Sequence, residues 1–183
     1  YPLSFISGKL TEHYALMGLS KNIGSYFVAD AVNEYGLSGA ALYFEGYAHY
    51  KKEADANKKP VAPHELVMWL LCRCRSIEEV LEELLQIDIV DHVLDFLGVV
   101  PPLHYTFMDK SGRSIIIEFM SDGTHIHENK LGVLTNSPDY SWHLTHVRSF
   151  IGLDPKQVAS REIYGELFKP FGQGSGTFGL PGD

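Results

Sequence analysis

The chain has 183 residues, 45% of them hydrophobic, with a formal charge of −8 and a pI near 5.5, which is enough apolar material for the core of one domain. The acidic balance argues against nucleic acid or an anionic membrane as partner, since both attract basic surfaces. No run approaches the roughly 18 apolar residues of a membrane span, and no charged-then-apolar leader opens the chain. A cytoplasmic protein is expected, with secretion left open because the chain starts at Tyr1.

Residues 14–18, 26–32 and 37–44 are short segments rich in aromatic, β-branched and small side chains and predict strands. The last two are expected to form a hairpin with Gly36 in its turn. Residues 51–60 are charged, lack an apolar period and predict a surface loop. From Pro63, the pattern Leu66, Val67, Leu70, Leu71 is helical, with the proline near the first turn, where its missing N–H is not needed. Ser76 followed by Glu79 reads as a capping box, and Val80, Leu81, Leu84 and Leu85 behind it form one apolar stripe. A third short helix is predicted over 89–97.

Beyond Pro101-Pro102 the pattern becomes extended. Residues 103–108, 113–119, 124–127 and 131–135 predict four strands of an antiparallel meander. Asp139 is placed to cap a helix over 140–150, ended by Gly152 and Pro155. Strands, helices, strands and a helix without βαβ alternation argue for an α+β fold.

Asn136 stands where the predicted 131–135 strand gives way to a helix, and Pro138 soon after favours extended backbone there. It is either a turn asparagine bonded to its own backbone or an amide projected from a strand end. Tyr43, read alone, is a strand aromatic. His125-x-His127 and His143-x-x-His146 each put two imidazoles on one face, but two-ligand patterns are weak zinc signals. Glu78, Glu79, Glu82 and Glu83 read as a solvated helix face. The segment Gly174-Ser-Gly-Thr-Phe-Gly179 matches a dinucleotide fingerprint only on paper, since no predicted strand precedes it and Pro181 interrupts the required helix. The two cysteines, Cys72 and Cys74, are too few for a disulfide framework.

The runs LGVLTNSPDYSWHLTH over 131–146 and NEYGLSGAALYF over 33–44, with the Gly-rich tail 171–183, resemble the choloylglycine hydrolase family, the bile salt hydrolases and penicillin V acylases. The resemblance runs over nearly the whole chain and implies an αββα sandwich of the N-terminal-nucleophile type, incomplete at both ends, with residues 1–183 forming a single partial domain. It implies a cysteine amidohydrolase whose nucleophilic Cys, with an Arg and an Asp soon after it, precedes Tyr1, and whose further catalytic Arg follows Asp183.

By the same resemblance, Asn136 donates to the oxyanion of the tetrahedral intermediate, and Tyr43 lines the pocket and gives its backbone N–H as the second donor. A small-molecule amide is the implied substrate, no cofactor or metal is needed, and a homotetramer is implied, with the Gly-rich tail in its assembly. A tyrosine at 43, where asparagine is more usual in bile salt hydrolases, makes the expected activity most like that of a penicillin V acylase, with conjugated bile salts and N-acyl homoserine lactones as further substrate classes of the family. Ala31, Phe119 and His146 depart from the family's usual residues beside the site. The alternatives are a catalytically inactive relative that binds acyl amides and an inert gene fragment.

Overall fold

The computed structural model describes residues 2–22, 26–151 and 159–170. The expected helix end at Gly152 and Pro155 and the Gly-rich tail 171–183 lie outside them. The chain divides into two compact units, Tyr1–Trp142 and His143–Asp183.

The first unit opens with a hairpin not foreseen from the sequence, β1 (Leu3–Phe5) against β2 (Gly8–Leu10). Its Phe5 ring meets the Trp69 ring edge-on at 5.0 Å. The main sheet then forms from β3 (Leu16–Asn22), β4 (Tyr26–Asn33), β5 (Ser38–Tyr43), β8 (Leu103–Met108), β9 (Ser114–Met120) and β10 (Gly123–Glu128), all antiparallel, in the order β10-β9-β8-β5-β4-β3. Between β5 and β8 the chain leaves the sheet to form β6 (Lys59–Val61), α1 (Leu66–Leu71), α2 (Ile77–Leu84) and β7 (Ile87–Ile89).

The expected β4–β5 hairpin is present, and Gly36 supplies the turn at φ +84°, a conformation a Cβ would strain. Asn33 locks it to the helices. Its Oδ1 accepts from the N–H groups of Tyr35 and Leu37 at 3.0 and 3.1 Å, while Nδ2 donates to the carbonyls of Leu71 and Cys74 at 2.9 and 2.7 Å. A buried amide with all four positions satisfied is the arrangement burial demands.

Strand alternation divides the sheet into two faces. Val28, Ala31, Tyr105, Phe107, Ile115 and Ile117 are buried in the core with Leu66, Trp69 and Leu70 of α1. Gly39 lies opposite Phe107 in the β5–β8 ladder, and a Cβ there would fall 2.4 Å from the Phe107 ring. The opposite face leaves Met17, Leu19 and Met108 exposed.

Ser76 caps α2 by accepting from the Glu79 N–H at 3.3 Å, but the Glu79 carboxylate takes the Arg75 N–H at 2.7 Å instead of that of Ser76. The helix start is further held by Asp109 in the β8–β9 turn, which accepts from the Ile77 N–H at 3.0 Å.

Two expectations are corrected. Residues 89–97 form no helix: Ile87–Ile89 is a strand paired in parallel with β6, and Leu94 bridges Val99. The apolar run satisfies its backbone against a strand some thirty residues earlier, a partner that local periodicity cannot report. Residues 131–135 form no strand. Gly132 turns the chain at φ +71° and its N–H goes to Asn129 Oδ1 at 3.0 Å, while the Leu131 N–H goes to the Tyr140 hydroxyl at 3.2 Å.

The helix capped by Asp139 is α3 (Tyr140–His146), continued by a 3-10 turn over Val147–Phe150, and the Trp142 N–H reaches Asp139 Oδ1 at 3.1 Å. In the second unit, β11 (Arg161–Ile163) and β12 (Glu166–Phe168) form a hairpin whose turn holds Tyr164 at φ +53°.

Candidate functional site

Strand β4 pairs with β5 only from Asp30 opposite Ala40 to Val32 opposite Ser38. The backbone of Tyr43, past that ladder, therefore needs partners from elsewhere. The loop after β10 supplies them. Tyr43 N–H donates to Asn136 Oδ1 at 3.1 Å, the Ser137 N–H donates to the Tyr43 carbonyl at 3.0 Å, and Ser137 Oγ donates to the Glu45 carbonyl at 2.9 Å. The two residues singled out in the sequence, 93 positions apart, are thus in direct contact at one end of the sheet. Both are exposed, Tyr43 at 44%.

The direction of that bond carries chemical information. An N–H can only donate, so the Asn136 atom facing Tyr43 is the side-chain oxygen. That oxygen occupies the acceptor position in front of the Tyr43 N–H.

Beneath the loop lies a group that the sequence reading did not single out. His104 on β8 and Glu118 on β9 are 0% and 1% exposed. His104 Nδ1 is 3.1 Å from Glu118 Oε1, and His104 Nε2 is 2.8 Å from the carbonyl oxygen of Thr135, the residue before Asn136. Glu118 Oε1 also accepts the Tyr140 N–H at 2.9 Å, and the Phe44 ring stacks on the His104 ring at 4.3 Å and 9°. The available signal was a histidine and a glutamate within two apolar-rich strands, equally far from the β8–β9 turn.

Several other candidates have structural roles. Cys72 and Cys74 are buried at the end of α1, and desolvation pushes each thiol up to about 12, which removes them as nucleophiles near neutrality. The rings of His125 and His127 stack at 6.2 Å on one face of β10, as their spacing predicts; His125 bonds Asp122 at 2.8 Å and His127 lies against Tyr140. Ala31 is buried under the helices and Phe119 meets the Tyr105 ring edge-on. An open cavity of about 390 Å³ is lined by Met17, Val32, Ala40, Thr106, Met108 and Leu134 among others. It lies on the sheet face away from the helices, and Leu134 sits two residues before Asn136.

Among solved structures, that of a variant of conjugated bile acid hydrolase from Clostridium perfringens matches with a TM-score of 0.85 at 33% identity, over 100% of this chain and 57% of that one. The fold is therefore the α+β architecture of the N-terminal-nucleophile hydrolases. The chain belongs to the choloylglycine hydrolase family of linear amide C-N hydrolases, whose family model matches residues 3–183.

A bile salt hydrolase/transferase of Lactiplantibacillus plantarum is 37% identical over 100% of this chain and 56% of its own length. A penicillin V acylase of Pectobacterium atrosepticum is 28% identical over 67% of this chain and 33% of its own. The chain spans a little over half the length of the bile salt hydrolase relatives it matches.

Proposed function

We propose that this chain supplies the oxyanion-binding part of a cysteine N-terminal-nucleophile amidohydrolase, with the Asn136 amide and the Tyr43 backbone N–H as the two donors. The single observation that carries this is their 3.1 Å contact, which brings a side-chain amide and a strand-end N–H to one point. In this reading, taken from the family resemblance, the nucleophile is an N-terminal cysteine outside the 183 residues; Cys72 and Cys74 within them are buried with raised thiols and do not serve.

Its thiolate forms a bond to the amide carbonyl carbon, with the α-amino group of the same residue as the local base. Free thiols near 8.5 and α-amines near 7.7 to 8.0 are close enough in pKa to exchange a proton. Charge develops on the carbonyl oxygen, the C–N bond breaks, the amine leaves with the proton, and water hydrolyses the thioester. For the oxygen to reach both donors, Asn136 Oδ1 must give way and Nδ2 turn toward it. The cavity under Leu134 offers an apolar wall of a size suited to an acyl group.

Conjugated bile acids are the favoured substrates, supported by the bile salt hydrolase relative at 37% identity. Tyr43 supports a second reading, hydrolysis of penicillin V. We assign both units to one domain, supported by the family match through residues 3–183. A homotetramer is the proposed assembly, supported by a β11–β12 hairpin that exposes Ile163, Tyr164, Leu167 and Phe168.

The test is to express the complete open reading frame carrying this chain and measure hydrolysis of glycine- and taurine-conjugated bile acids and of penicillin V. Faster turnover of the bile acid conjugates is expected. The reverse order selects the second reading, and binding of all three without cleavage overturns the hydrolase assignment in favour of an inactive binder.

A further inference from the structure

We infer that His104, held by Glu118, is a positioning residue that fixes Asn136 against Tyr43. The inference rests on the assignment of Asn136 as an oxyanion donor. A backbone carbonyl can only accept, so the 2.8 Å contact to Thr135 requires His104 Nε2 to carry a proton. At the other nitrogen, Nδ1 lies 3.1 Å from Glu118 Oε1. The imidazole is thereby fixed at both nitrogens, and Phe44 stacked on its face removes the remaining ring rotation.

What this fixed ring grips is the peptide immediately before Asn136. The Thr135 carbonyl is anchored from below by His104, while Ser137, on the other side of Asn136, is anchored by its N–H to the Tyr43 carbonyl and its hydroxyl to the Glu45 carbonyl. Asn136 is therefore held by its two neighbours while its own side chain stays at the surface. Glu118 Oε1 also accepts the N–H of Tyr140, at the first turn of α3, so one carboxylate sets the ring and the far end of the same loop. The group touches no reacting atom and acts through the Thr135 peptide.

The experiment compares His104→Leu, which keeps bulk against Phe44 but removes the donor, with His104→Gln, which returns an N–H near the Nε2 position. Backbone amide exchange of the complete protein is read at Ser137 and at the amides of β9. Ser137 exchange is expected to rise about tenfold or more in His104→Leu and to return to within about threefold of wild type in His104→Gln, with β9 unchanged. In the complete protein, kcat should fall about tenfold to a hundredfold in His104→Leu with KM within about twofold, and recover in His104→Gln.

Unchanged Ser137 exchange in His104→Leu overturns the inference, and so does equal loosening of β9 and Ser137 in both variants. Asn136→Ala separates the two readings. A kcat that survives Asn136→Ala defeats the oxyanion assignment, while the exchange result still judges the grip of His104. A kcat lost in Asn136→Ala but intact in His104→Leu defeats the positioning role alone.

Discussion

At the scale of single residues, the site depends on very few atoms. In its proposed role Asn136 donates one hydrogen bond to the developing oxyanion, and such a donor is typically worth about 2.7 to 4 kcal/mol of barrier. Asn136→Ala in the complete protein is therefore expected to lower kcat/KM by about a hundredfold to a thousandfold. Its melting temperature should change little, since the side chain is exposed and the Ser137 contacts to Tyr43 and Glu45 remain. Thermal unfolding and steady-state kinetics on one preparation check both halves. Cys72 and Cys74 give a second expectation. With both thiols buried and pushed up to about 12, iodoacetamide at pH 8 should label neither in the folded protein and both in denaturant, read by mass shift.

At the scale of elements, the β4–β5 hairpin carries the most concentrated dependence on sequence. Replacing Asn33 with alanine strips four backbone groups of a partner, the buried ones of Leu37, Leu71 and Cys74 and the part-buried N–H of Tyr35. At about 1 to 3 kcal/mol for an unsatisfied buried group, and with partial relaxation, a loss of about 3 kcal/mol is expected in the urea unfolding free energy. Gly39→Ala should cost about 1 to 3 kcal/mol by overpacking against Phe107, read in the same experiment, and Phe107→Leu in the same chain should recover part of it.

These elements also mark how far the sequence could be read. The β4–β5 hairpin, the β8–β9–β10 meander and the Ser76 and Asp139 caps were legible because each is set by residues within a few positions of one another. The parallel β6–β7 pair was misread as part loop and part helix because its two halves lie far apart in the chain. The 131–135 segment was misread as a strand because its apolar residues suggested a ladder, whereas Gly132 and the Tyr140 hydroxyl take its backbone out of one. Asn136 and Tyr43 were reached through resemblance, and only the fold brought them into contact. His104 and Glu118 escaped because each alone looks like an ordinary strand residue, and their meaning lies in the bond across β8 and β9.

At the scale of the whole molecule, charge and burial set a pH window. Desolvation, aided by the neighbouring His92, pulls His64 down to about 4 from its ordinary 6.5. As pH falls below 6.5 the unfolded chain takes up a proton that the folded protein refuses until about 4, so stability from this group is lost across that interval. Glu65 beside it acts oppositely, because burial raises its carboxyl and the folded state takes up that proton first. The contribution of His64 is isolated by comparing wild type with His64→Gln in urea: the wild type should lose more stability between pH 6.5 and 4.

At the alkaline end the raised thiols act in the other sense. Their stabilisation is complete below the ordinary value of 9 and is lost as pH rises toward about 12. Stability should therefore be greatest between about pH 6.5 and 9, read as the urea midpoint across pH.

The bond from the Tyr43 N–H to the Asn136 oxygen has a consequence for selectivity. A substrate arriving there exchanges one acceptor for another, so the number of hydrogen bonds to that N–H does not rise. A neutral amide carbonyl, no better an acceptor than the asparagine it displaces, gains almost nothing by entering. An oxygen that has acquired negative charge gains the difference between a neutral and a charge-assisted bond, and gains it again when the Asn136 N–H turns to meet it. In the proposed role the resting contact works as a threshold, indifferent to the ground state and responsive to the charge that appears on the way to reaction, the separation on which rate acceleration depends.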